Sequence, residues 1–270
     1  MNIIFKKRKN KIAIITSLVL FLSTSAFAQT EEQKGFNISA RSDRSDRGFG
    51  DSVVELKMIL RNAAGKESTR TLILKTLEVP DENEGDKSII IFDSPSDISG
   101  TAMLSHAKIL DADNQWLYLP ALKRIKRISS VNKSGPFVGS EFAFEDLTAS
   151  ELNKYKYKFL GVGVCGTLKC DKVERYPQYQ YSGYTRQVAW IDRDVHQIRK
   201  IEFYERRGDL LKTLNISDYK KYPGNIWRAQ NFVMKNHQTG KSTELIYSDY
   251  KFKTGLKDNA FQKSDLRSAR

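Results

Sequence analysis

Ser140, Glu141, Glu145 and Asp146 fall within one short stretch and could be cast as nucleophile, acid and base of a hydrolytic site. Three features argue against that chemistry. Ser140 lies in no nucleophile elbow, no histidine is near it in sequence, and Glu-Asp ahead of T-A-S-E-L is what the N-terminus of a helix favours in any case. The three histidines, His106, His196 and His237, are isolated from one another and from the cysteines. The two cysteines, Cys165 and Cys170, are separated by G-T-L-K, longer than the two-residue spacer of a redox pair and without a helix start to lower a thiol pKa. A local disulfide pinning a hairpin tip is the simplest reading in an oxidising compartment, with redox and metal-binding pairs as the alternatives.

Apolar side chains are the more informative chemistry. From Gln115 the chain reads Q-W-L-Y-L-P, an alternating strand with Trp116 and Tyr118 on one face and Leu117 and Leu119 on the other. Ile89 to Phe92 is likewise apolar on both faces. A sheet with one wet face has polar residues at every second position, so these strands need cover on both sides, from protein or from a ligand. Downstream, G-P-F-V-G-S-E-F-A-F sets phenylalanines among turn-forming residues, which suits a loop folded over something apolar. Met103, Trp116, Tyr118, Phe137, Phe142 and Phe144 are therefore the candidate wall and lid of an apolar site, against the alternative that all six are ordinary core. Between them runs a basic segment with Lys123, Arg124, Lys126 and Arg127, suited to an anionic membrane surface, an acidic partner, or plain solvent at a strand end.

The elements that would position these residues are strands. V-V-E-L-K-M-I-L-R ends at the turn N-A-A-G-K, and β-branched runs separated by turns recur to Phe252 without long helical patterns between them. This describes an antiparallel meander. One short helix is expected within E-D-L-T-A-S-E-L-N-K-Y. Gln29 to Gly50 reads as a flexible leader or a short amphipathic helix, residues 51–270 as the β domain, and Leu256 and Phe261 as a closing flap. The S-D-Y-K of Ile216 to Tyr222 returns in Tyr247 to Phe252, as for strands of equivalent position in neighbouring hairpins. Residues 1–28 have a basic start, an apolar core from Ile12 to Leu22 and Ala26-Phe27-Ala28, the layout of a cleavable export signal rather than an anchor. Removing that segment lowers the net charge from +13 to +8, and with export and no recognisable binding module this disfavours nucleic acid.

W-L-Y-L-P-A-L-K-R-I-K-R-I, G-S-E-F-A-F-E-D-L, Ile191-Asp192 and Gly224-Asn225-Ile226-Trp227 together resemble the LolA-like family of outer membrane lipoprotein-sorting proteins. The resemblance implies a mainly β fold: an incomplete, half β-barrel of about ten or eleven antiparallel strands with a short helical lid, as in LolA and LolB. It further implies a non-enzymatic, cofactor-free, monomeric periplasmic protein that carries acyl chains of a lipoprotein or lipid between the inner and outer membranes, alongside an RND-type transporter. An accessory subunit that docks on such a transporter without carrying lipid fits the same residues.

Overall fold

A computed structural model of the chain describes residues 29–81 and 83–268; the expected export signal lies outside them. The described chain opens with a helix, α1 (Glu31–Asp46), the helical one of the two readings of this segment. Its start is set by Thr30, whose hydroxyl accepts from Gln33 N at 3.2 Å, and by Glu31 and Glu32 in the first turn. The strands β1 (Asp51–Arg61), β2 (Glu67–Leu77), β3 (Glu84–Ser94), β4 (Ala102–Lys108), β5 (Asn114–Leu119) and β6 (Arg124–Ile128) then form a meander, each paired antiparallel with the next.

A second meander contains β7 (Tyr155–Cys165), β8 (Leu168–Pro177), β9 (Tyr184–Asp192), β10 (Ile198–Glu205) and β11 (Leu210–Ser217). A small separate hairpin, β12 (Lys220–Tyr222) and β13 (Ile226–Arg228), interrupts it. The chain rejoins the sheet as β14 (Asn231–Asn236) and β15 (Ser242–Phe252), and β15 closes against β1. The result is one open antiparallel sheet of 13 strands in the order β6-β5-β4-β3-β2-β1-β15-β14-β11-β10-β9-β8-β7. It is a half-barrel with two more strands than the upper expectation.

Although consecutive in the sheet's sequence order, β6 and β7 are its two opposite edges. The segment 129–154 that joins them therefore has to travel from one edge to the other, and it does so as a strap along the inner face. Its buried Phe137 and Phe142 pack with Phe92, Met103, Phe203 and Leu214, drawn from both meanders. The expected short helix is absent from this strap. In its place stand two short 3-10 turns, Phe144–Leu147 and Leu152–Lys154, separated by extended backbone at Thr148 (φ −109°, ψ 159°). Lateral bonds explain the difference. Glu145 accepts from Tyr179 OH, Ser182 Oγ and Gly183 N at 3.0, 2.9 and 2.8 Å, and Asp146 accepts from Tyr184 OH at 2.8 Å, so the carboxylates anchor the strap sideways instead of starting a helix.

On the inner face of the second meander α1 packs Ile38 against Tyr157, Phe159 and Val173. Contact is backbone to backbone at Gly35, where a Cβ would lie 2.8 Å from the Lys158 carbonyl carbon. At the tip of the β7–β8 hairpin Cys165 and Cys170 are joined, with Cα atoms 6.0 Å apart. The small loop limits the effect: replacing both by serine should lower stability by about 2 kcal/mol, read as a urea midpoint shift that reductant reproduces in the parent protein.

Candidate functional site

Between the concave sheet, α1 and the strap lies a cavity of about 450 Å³, within the range of small-molecule sites. Strict alternation in β1 supplies its floor. Val54, Leu56 and Met58 point in, while Glu55 and Lys57 between them are exposed. Leu72 and Leu74 of β2, Ile90 of β3, Ile216 of β11, Phe232 of β14 and Leu245 of β15 continue the apolar lining.

Two tyrosines enter by a local device that the repeated S-D-Y-K records. Asp218 and Asp249 both adopt left-handed backbone, with φ of 56° and 52°. In β15 the pairing slips there, Val53 opposing Lys251 and Glu55 opposing Ser248, so one extra residue is inserted. The insertion lets Tyr247 and Tyr250, three positions apart, face the same side, with rings stacked 5.9 Å apart and 5° from parallel. Tyr219, after Asp218, also lines the cavity and donates to Ile198 O at 2.6 Å. Aspartate tolerates this backbone better than most side chains. The equivalence inferred from the repeat is thus a left-handed aspartate at the same place in both copies, with a bulge at the one in β15.

One side of the cavity is polar. Ser39, Ser42 and Asp43 of α1 face it together with Arg47, Asp86, Ser150, Glu151 and Arg175. Arg47 donates to Asp43 at 3.0 Å and reaches the buried Glu151 at 3.7 Å, linking the end of α1 to the strap. Burial pushes the Asp86 carboxyl up to about 6, against a bond from Val79 N at 3.0 Å that favours the ionised form. Because the folded value is the higher one, this group favours the native state below the unfolded carboxyl range near pH 4 and ceases to do so as pH rises through about 6. Asp86→Asn, which keeps the acceptor for Val79, should therefore raise stability by up to about 3 kcal/mol at pH 8 and by almost nothing at pH 4. Paired denaturant curves at the two pH values check the sign.

The strap is fixed over the cavity by a buried network. Lys212 of β11 reaches Asp146 Oδ2 at 2.7 Å, both side chains being 5% exposed, and donates to Glu141 O at 2.9 Å. Asp146 also accepts from Ala143 N at 2.6 Å, and Glu141 accepts from Asn236 Nδ2 at 2.8 Å. Ser140 is buried and donates to Phe142 O at 3.3 Å. Every member of the would-be hydrolytic set thus has a structural partner.

Of the six aromatic and methionine candidates, Phe137 alone lines the cavity. Met103, Phe142 and Phe144 lie on the inner side but pack within the main core. Trp116 and Tyr118 are on the opposite, outer face, packed with Ile89, Ile91 and Leu104 under Phe261 and Leu266 of the C-terminal segment. The expected flap thus forms, Leu256 joining the same cluster, but it covers the outside of the sheet. His106 Nε2 pairs with Phe261 O at 2.8 Å and helps hold it there. The doubly apolar strands β3 to β5 consequently owe their second greasy face to protein cover. Lys123, Arg124, Lys126 and Arg127 are exposed along edge strand β6, with Arg127 donating to Asn114 Oδ1 at 2.7 Å. The true lining, β1 and β2 above all, was signalled only by ordinary alternation, which any half-buried strand shows.

No helix of the described residues is long and apolar enough to cross a membrane. A protein-family model described as an uncharacterized protein matches residues 84–268. A search of curated proteins finds no match. Among solved structures, a domain assigned to outer membrane lipoprotein sorting from Vibrio parahaemolyticus is 50% identical, covers 87% of this chain and 99% of its own, and superposes with a TM-score of 0.85. A DUF1329 family protein from Desulfovibrio piger is 27% identical over 88% of this chain and 99% of its own, with a TM-score of 0.83. A LolA superfamily protein from Nitrosomonas europaea shares the fold, at 20% identity over 84% of this chain and 97% of its own, TM-score 0.67. The open sheet has the LolA fold, and the chain belongs to the family of the outer membrane lipoprotein-sorting protein domain that it matches at 50% identity.

Proposed function

We propose that this protein is a periplasmic carrier whose cavity holds an acyl chain of a lipoprotein or lipid and moves it between the inner and outer membranes. The observation that carries the reading is the cavity itself, about 450 Å³, apolar across the sheet and polar beside α1. That division suits an amphiphile, with hydrocarbon against Leu56, Leu72 and Leu74 and its polar end beside Arg47 and Asp86. Each buried CH₂ is worth about 0.8 kcal/mol, so one long chain brings roughly 10 kcal/mol before the costs of ordering it. Carriage of this kind asks for walls and a cover and for no reacting group.

Export rests on the basic, apolar and small-residue layout of residues 1–28, and the soluble periplasmic location follows from it. The exposed cations of β6 are the proposed contact for an RND-type inner-membrane transporter or for anionic headgroups, each cation near such a membrane adding about 1 kcal/mol. Native mass spectrometry and lipid extraction of protein purified from the periplasm test the carrier reading. Acyl species bound in stoichiometric amount are expected. An empty protein that still associates with a transporter through β6 would transfer the role to an accessory docking subunit.

A further inference from the structure

The β7–β8 hairpin projects an apolar corner that neither the cavity nor the β6 edge explains. Val162 and Val164 are 53% and 69% exposed, Leu160 42%, and Phe36 of α1 37%. Register places the two valines on one face: Val162 opposes Asp171 and Val164 opposes Lys169, so both share the face on which Val173 packs against α1. They stand past the buried Phe159, where the core cluster around α1 has ended, so nothing in the fold covers them. Phe36 stands next to the same strand, its ring 6.0 Å from that of Tyr157.

Exposed charge on the hairpin itself has one sign. Residues 155–170 contain Lys156, Lys158 and Lys169 and no acid, and all three lysines are exposed. The neighbouring Asp171 is buried and paired with Arg193 at 3.1 Å. Lys169, opposing Val164, shares the valines' face, while Lys156 and Lys158 alternate with the inward Tyr157 and Phe159 and leave the opposite face of the same edge strand. The disulfide holds the tip of this hairpin in place.

We propose that this corner is a membrane-contact surface that seats its aliphatic side chains in the headgroup region of an anionic phospholipid bilayer. Exposed aliphatics set among cations match the two attractions of such a surface, apolar insertion and headgroup charge. Strand addition by an extended peptide fits less well, although β7 is a sheet edge. The ladder slips between Phe159 and Gly161, leaving Leu160 as an extra residue, and such a bulge bends the edge away from straight pairing. The inference is independent of what the cavity holds.

Flotation of the purified protein with phosphatidylethanolamine–phosphatidylglycerol vesicles tests it, with phosphatidylcholine vesicles for comparison. The parent protein should float with the anionic vesicles and do so less at high salt. Val162→Gln with Val164→Gln should weaken that association by roughly tenfold or more, and Lys158→Gln with Lys169→Gln should weaken it chiefly at low salt. Unfolding midpoints and extracted lipid content should stay as in the parent, since all four side chains are exposed. Failure of the parent to float, or flotation untouched by the valine pair, would overturn the proposal. So would a change from dimer to monomer in the valine variant, since the corner would then seat a second copy of the chain.

Discussion

Leu74→Trp combined with Ser88→Trp should leave the protein folded and without bound acyl chains. Leu74 sits on β2 and Ser88 on β3, adjacent strands whose register pairs Leu74 with Ile90 and Thr76 with Ser88, so the two positions are diagonal neighbours. Both line the cavity and both are only partly buried, so an indole at either one grows into open space and not into packed atoms. Overpacking a filled core costs about 1–3 kcal/mol, whereas filling a void regains contacts that the lining otherwise lacks. The unfolding midpoint should therefore hold or rise. Lipid recovered per mole of protein should fall by tenfold or more, since each displaced CH₂ forfeits about 0.8 kcal/mol and two methylenes already exceed a factor of about ten. Lipid retained at the parent level would show that the acyl chain is held elsewhere.

Lys212→Met should be among the most destabilising single changes in the chain, at about 3–5 kcal/mol. Asp146 would keep its bonds from Ala143 N and Tyr184 OH but lose the cation that balances a carboxylate with 5% of its side chain exposed. Glu141 O would lose a donor in the same step. Adding Asp146→Asn should restore most of the loss, because a neutral amide still offers its oxygen to Ala143 N and can donate its NH2 to the Tyr184 hydroxyl oxygen, without a buried charge. Guanidinium midpoints of the two variants make the comparison. A loss below about 1 kcal/mol for Lys212→Met would place this pair with ordinary exposed ion pairs and remove it as the anchor of the strap. Limited proteolysis gives a local readout, as the single variant should be cut first within 129–154.

Much of the architecture is legible residue by residue. Alternation marked β1, unbroken apolar runs marked β3 and β5, β-branched runs between turns marked most of the other strands, and N-A-A-G-K marked the first turn. The cysteine spacing indicated the hairpin bridge, and the greasy C-terminal residues indicated a docked flap. These features are local: hydrophobic period, turn chemistry and short loop closure act over a few residues and leave their trace in neighbouring letters.

Placement of the site was not legible in the same way. Period 2 shows that Trp116 and Tyr118 share a face and that Leu117 lies on the other, but it carries no sign saying which face meets the hollow. That sign was decided when 129–154 crossed the inner face and the C-terminal segment covered the outer one, both of them long-range events. The helix expected at Glu145 gave way for the same reason, its carboxylates being claimed by Gly183, Tyr184 and Lys212 from distant parts of the chain. By itself, then, the sequence determined an antiparallel sheet with its turns, its bridge and the repeat that marks two equivalent strands. Tertiary structure alone decided that β1, β2 and β15 would floor the cavity and that β6 and β7 would become edges, because only closure of β15 on β1 joins the two meanders and gives the sheet an inside.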